Sequence, residues 1–326
     1  MLQRGFRRSA STFQQTDRKI LDFYNYHATN AALKPLIYRP KNKNLLLAMD
    51  LKDPESNAPL KARTPVKPLS KDVLNSYIWS AQEASQVLGM VRKWTSLTTR
   101  KKAIWQFFNA SHVQNMLFAA NFKLGKFSAF VREFYALKPR FESVGSAAIY
   151  DVEHFFNSLI TCSLHKNAAQ GTRDADVGLK KLTNAWNHVA VKNDDSGLAG
   201  LLIAAYAKQQ GITSEALTSL ETPLPSITHE IKLPTLMSES MSIGITAKLV
   251  SENRFKYVMT RTILQYGDAC LANDAIQKFV SEYQLLQSKL DDKKDVYETY
   301  CSVLKSVLTE QHPPTVTHKH PVAGDA

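Results

Sequence analysis

The chain has 326 residues, 44% of them hydrophobic and 10% aromatic, enough for one large or two ordinary packed domains. Its 12 glycines argue against a turn-rich β architecture or a glycine-rich nucleotide fold, and Cys162, Cys270 and Cys301 are too few and too scattered for a disulfide framework. The formal charge of +12 is lopsided: residues 1–140 hold 24 Lys+Arg against 8 Asp+Glu, whereas residues 141–326 hold 17 against 21, so one end is suited to meeting a polyanion.

The first residues, MLQRGFRRSASTFQQ, are basic and hydroxylated, with no acid before Asp17. Leu2 and Phe6 can oppose Arg4, Arg7 and Arg8 on a short helix, which is the pattern of a mitochondrial transit peptide over residues 1–13. A helix is expected around Asp17–Ala32, with Ile20, Leu21, Tyr24 and Ala28 on one side. Six of the thirteen prolines then fall between Pro35 and Pro68, interleaved with lysine and arginine. Proline neither continues a helix nor donates to a sheet. Residues 14–70 therefore read as a basic, proline-rich extended arm, with Leu45, Leu46 and Leu47 as an apolar knot able to dock on a surface.

From Ser70 onward the pattern is helical, and residues 71–310 read as one α-helical, repeat-like domain. Ser70 is suited to cap a helix whose stripe runs through Leu74, Tyr77, Ile78, Ala81, Leu88 and Val91. Next comes a helix near Thr99–Phe108, whose opening Arg100-Lys101-Lys102 opposes its own dipole unless an anion compensates. The stretch His112–Pro139 divides into two amphipathic helices: Val113, Leu117 and Ala120 stripe the first, Gly125 ends it, Phe127, Phe130, Val131 and Phe134 stripe the second, and Pro139 closes it. Further helices are expected over Ala147–His165, Asp174–Val191, Ser196–Gln209 and Ser214–Leu220, and then within Thr235–Leu308. Leu198–Ala207 is the longest apolar run and is half the length needed to cross a bilayer. The proline-bounded Leu220–Pro234 reads as an irregular connection, and residues 311–326 as a disordered tail.

No glycine-rich phosphate loop and no C-x-x-C occurs, so no cofactor or metal is expected. Glu153-His154 beside Asp151 is the nearest approach to a catalytic pair, but neighbours on a helix diverge by about 100°. His318-x-His320 lies in the tail. The chain reads as a non-enzyme without a small-molecule substrate. Its informative feature is the cations: Lys41 and Lys43 in the arm, then Arg92, Lys93, Arg100, Lys101, Lys102, Lys123 and Lys126, with Arg132, Lys138 and Arg140 beyond. These are candidates to contact RNA phosphates. Trp105 and Phe108, at i and i+3 among them, fit a core better than a platform for bases.

Asn115-Met116-Leu117-Phe118, Asn157-Ser158-Leu159-Ile160 and Gly200-Leu201-Leu202-Ile203 echo one another at spacings of 42 and 43 residues. With the phrases FFNSLITCSL and LLIAAYAKQQGITSEALTSL, they resemble pentatricopeptide repeats, although the spacing exceeds that family's unit. The resemblance implies an all-α, solenoid-like array of antiparallel helical hairpins behind the arm. It places Met116, Ser158 and Leu201 at base-reading positions, of which only Ser158 can hydrogen-bond. Leader, arm and helical body together resemble the fungal-specific structural proteins of the mitochondrial small ribosomal subunit. That resemblance implies a matrix protein supporting mitochondrial translation, whose partners are the small-subunit rRNA and other mitochondrial ribosomal proteins. The alternative is a pentatricopeptide-type factor governing translation or stability of a mitochondrial mRNA.

Overall fold

In the computed structural model, the described residues are 2–52, 57, 59–171, 174–220, 222–225, 230–236, 241–268, 273–290 and 294–311, with side chains described from Phe13 to Leu308. Cys270 and the tail histidines fall outside them, as do the side chains of the expected leader through Thr12. Among the described residues the protein is all-α, with fifteen α-helices and only isolated β-bridges. None of those helices is long and apolar enough to cross a membrane.

Helix α1 (Leu2–Ala28) lies on α4 (Lys71–Ser80). Its inward stripe is Phe13, Thr16, Ile20 and Phe23, a period of three to four residues; Leu21, expected on the stripe, is exposed. The stripe is set by what α1 meets. Phe13 stacks on Tyr77 at 5.1 Å, and Phe23 packs against Trp94 and Phe107 at 5.6 and 4.9 Å. Between α1 and α4 the chain makes α2 (Lys34–Ile37), a 3₁₀ turn at Pro40–Asn42 and α3 (Lys43–Ala48). Asn42 ties these together by donating to the Pro35 and Leu36 carbonyls. Of the leucine knot, Leu46 is buried while Leu45 and Leu47 are exposed.

The single stripe expected after Ser70 is divided into α4 and α5 (Ala84–Thr95). Ser70 caps α4 by accepting from Asp72 N–H, and Gln86 Oε1 then accepts from the backbone of Gln82 and Glu83, so α5 starts afresh. The expected Thr99–Phe108 helix is a single turn, α6 (Lys102–Trp105).

Helix α7 (Ala110–Phe122) is the centre of the molecule. Every residue from His112 to Phe122 is buried, so the amphipathic reading is corrected to a helix enclosed on all sides. It is flanked by α4, α8 (Phe127–Ser143), α9 (Asn157–Gln170) and α15 (Val296–Gln311). Gly125 does leave the helix at φ +67°, and Lys126 follows at φ +64°. Pro139, expected to close α8, sits inside it. The helix gains enough by burying Phe141 against Trp105, Phe108 and Tyr150 to continue past a proline that removes one backbone donor.

Beyond α8, the expected Ala147–His165 helix is interrupted. A 3₁₀ turn at Ala147–Ile149 leads to Asp151, whose carboxylate caps one π turn (Val152–Phe156) that runs into α9. Helices α10 (Ala175–Asn187), α11 (Leu198–Gln210) and α12 (Ser214–Thr218) follow. Helices α7, α9 and α11 lie side by side as a layer, and each holds one of the three echoing phrases. The C-terminal helices α13 (Ile243–Tyr266), α14 (Asp274–Lys289) and α15 return onto that layer: α13 packs on α9 and α11, and α15 on α7. The connection before α13 is docked too. Lys232 N–H donates to the Ser196 carbonyl, and Leu236 is buried. Gly197, at φ +72°, allows this approach, since a Cβ there would stand 2.7 Å from the Glu230 carbonyl oxygen.

Candidate nucleic-acid interface

The cations proposed for RNA divide into two groups. Lys41, Lys43, Arg92, Lys93, Arg100, Lys102 and Lys126 are exposed. Lys101 and Lys123 have their amines turned onto the protein's own backbone. Lys101 Nζ donates to the Ala28 and Thr29 carbonyls, 3.2 and 3.1 Å away, at the C-terminal end of α1. This answers the charge problem posed by Arg100-Lys101-Lys102: the compensating partner is the negative end of another helix. Lys123 Nζ donates to the Trp79 carbonyl near the end of α4, and burial lowers its pKa.

The same device recurs. Lys71 Nζ reaches the Gln106 and Phe107 carbonyls after α6, Arg140 reaches the Thr95 carbonyl at the end of α5 (2.7 Å), and Lys138 reaches the Asn187 carbonyl at the end of α10 (3.1 Å). Each cation satisfies a carbonyl that has no partner within its own helix. Aromatic faces hold others: Lys93 lies over Tyr24 at 4.7 Å and Lys34 over Tyr26 at 4.5 Å. Arg92 pairs with Glu133 at 2.7 Å and keeps 62% of its side chain exposed. Trp105 and Phe108 are core residues, the former donating its indole N–H to the Thr98 carbonyl.

The residues at the resemblance's base-reading positions point inward. Met116, Ser158 and Leu201 are all buried, and Ser158 Oγ accepts from Gln114 Nε2 at 3.2 Å between α7 and α9. No base edge can reach them without unpacking the central layer. Spacing alone could not reveal this, because a repeat phrase fixes helical phase and not which side a third layer covers.

One site was missed by the sequence argument. Glu153 and His154 are the adjacent pair expected to diverge; His154 is joined instead to Asp151, three residues earlier across the π turn, at 2.7 Å. Glu153 Oε1 accepts from Ser196 N–H at 2.8 Å. Glu153 and His154 border a cleft of about 260 Å³ with Asp195, Lys232, Glu252 and Lys256. Carboxylates and cations mix there, and Glu153 already accepts from backbone, as Asp151 does beside the cleft, so the cluster serves to join the π turn to the start of α11.

Comparison with known families gives two adjoining matches. Residues 3–80 match the MRP13-like N-terminal domain and residues 84–316 the MRP13-like C-terminal domain. The unmatched residues 81–83 are those between α4 and α5, where Gln86 restarts the helix. The two matches account for most of the chain, which belongs to the MRP13-like family of mitochondrial ribosomal proteins.

Proposed function

We propose that the protein is a structural component of the mitochondrial small ribosomal subunit in the matrix, and that its N-terminal side lies against ribosomal RNA in support of translation. The observation that carries this reading is the way the N-terminal cations are satisfied. Hydrogen bonds to backbone carbonyls use up donors but neutralise no charge. The surplus of residues 1–140 therefore persists at the surface, where Lys41, Lys43, Arg92, Lys93, Arg100, Lys102 and Lys126 are exposed. Phosphates are the acceptors such a surface recruits, with release of their counterions. Residues 141–326, nearly balanced in charge, suit packing on neighbouring ribosomal proteins.

Sedimentation of native mitochondrial ribosomes at high salt tests the proposal. The protein is expected to remain with the small subunit. Release at high salt in company with one messenger would favour the mRNA-factor reading instead. That reading gains no support from Met116, Ser158 and Leu201, which are enclosed in the core.

A further inference from the structure

The segment before α4 runs along α1 and leaves a cleft of about 580 Å³ between them. Arg18 and Lys19 border it from α1, and Arg63 and Lys67 from the opposite strand of chain, with Asp22 as the single carboxylate among the described residues. All four cations are exposed, and none is in an ion pair with a described residue. The apolar part of the wall comes from Pro65, Val66 and Pro68. Tyr38 completes it. This side chain is 7% exposed, and its hydroxyl has no hydrogen-bond partner among the described residues. Buried hydroxyls are rarely left so, because the group gives up water without replacement.

We infer that this cleft receives a nucleotide of an RNA strand, its phosphate held among Arg18, Lys19, Arg63 and Lys67 and its ring against Pro65 and Val66. Four cations on two facing walls match a phosphodiester that enters and leaves, whereas a lone surface lysine would only screen it. The walls are held in place: Arg63 N–H donates to the Ile37 carbonyl at 2.6 Å, and the Tyr38 ring meets Tyr26 edge-on at 4.8 Å. The inference rests on the RNA-facing reading above but concerns residues outside the cation set named for it.

The test uses the full chain and a labelled single-stranded RNA of mixed sequence, with binding followed across salt concentrations. Neutralising the cleft (Arg18→Gln, Lys19→Gln, Arg63→Gln, Lys67→Gln) should flatten the log–log salt slope by roughly 2.8, about 0.7 per lost contact. A control with four exposed lysines changed elsewhere (Lys180→Gln, Lys248→Gln, Lys278→Gln, Lys289→Gln) should leave the slope within about 0.7 of the parent. On the unaltered chain, a strand carrying 4-thiouridine should crosslink within residues 63–70 or at Tyr38. Equal losses in the two variants, crosslinks confined to other segments, or displacement of the strand by uridine monophosphate at equal concentration would each overturn the cleft assignment. If the unaltered chain binds no RNA, the RNA-facing reading fails first; RNA binding that ignores the cleft variant sinks only this inference.

Discussion

The two ends of the chain solve the same electrostatic problem differently. Cations near the C-terminus meet carboxylates. Arg261 on α13 pairs with Asp295 ahead of α15, Tyr257 donates to the same carboxylate at 2.7 Å, and Gln284 of α14 donates to the Tyr257 hydroxyl at 3.1 Å, so three helices share one charge-balanced knot. Lys248–Glu252 and Lys278–Glu282 follow the same rule, and Lys208 meets both Asp268 and the Gly267 carbonyl at the end of α13. Toward the N-terminus, where acids number 8 against 24 cations, Lys71, Lys101, Lys123 and Arg140 meet carbonyls at or just past the ends of α6, α1, α4 and α5, while Lys138 divides its amine between the Asn187 carbonyl and an ion pair with Glu142 at 3.4 Å. A helix terminus offers roughly half a negative charge that belongs to no side chain. The fold can thus position its cations without cancelling them, and the N-terminal side keeps its field for a partner.

Acid should produce the largest effect, and it falls unequally on the two ends. His112, at the start of α7, is buried and its pKa is pushed down to about 4, with the hydrogen bond to the Lys71 carbonyl opposing the shift. His165, enclosed by Thr262, Tyr266 and Phe122, is pushed down by burial to about 3. Above the unfolded value of 6.5, both states are neutral and these residues give no pH dependence. Below it the unfolded chain takes up protons that the folded chain refuses, so stability falls from pH 6.5 until about 4 for His112 and about 3 for His165. At pH 5 the two together should cost about 4 kcal/mol, measured as a drop in urea midpoint at constant slope. His165→Gln should flatten the acid limb over a wider range than His112→Gln. Equal pH profiles for parent and both variants would show that the acid lability lies elsewhere.

Next in size is the removal of a cation from each end. Arg261→Met strands Asp295, which is mostly buried, and should cost about 3 kcal/mol. Lys123→Met strands only a neutral carbonyl beside a buried methionine stem and should cost about 1 kcal/mol. The ratio is the measurement that matters. If urea unfolding shows Lys123→Met to be as damaging as Arg261→Met, the carbonyl-bound cations are structural pillars and the contrast between the ends collapses.

Much of this was legible beforehand and some could not have been. Ser70, Gly125 and Asp174 punctuate helices where their backbone chemistry says they should, with Asp174 capping α10 through Asp176 N–H. The enclosure of α7 was hidden because its neighbours α4 and α15 lie far from it in sequence, and Val113, Leu117 and Ala120 fit one buried face as well as an all-round one. Pro139 was misread for a related reason: its local penalty is visible in the chain, whereas the pocket that rewards Phe141 is assembled from Trp105, Phe108 and Tyr150. The candidate cations were found as a class by their density. Their division into carbonyl-bound and exposed could not be read, since backbone carbonyls are present at every residue and leave no signature in the sequence.

The smallest effect on stability should accompany a gain in binding, at Glu133. Among the described residues, Arg92 is the exposed cation of the candidate set that meets a carboxylate, so it behaves like a C-terminal residue placed on the N-terminal side. An ion pair with one partner this exposed is worth at most about 1 kcal/mol, so Glu133→Gln should leave the urea midpoint almost unchanged. It should also release one full charge to the surface. Affinity for single-stranded RNA at low salt should rise, and the log–log salt slope should steepen by about 0.7, the increment of one added phosphate contact. The gain should be alike for unrelated sequences, because a phosphate contact carries no base information. Arg92→Gln should reverse it. A slope that stays fixed in Glu133→Gln would mean that Arg92 does not face RNA, and the exposed set would shrink to residues without acidic neighbours. A slope that steepens only for one sequence would mean that α5 reads bases, contrary to the backbone contact proposed for it.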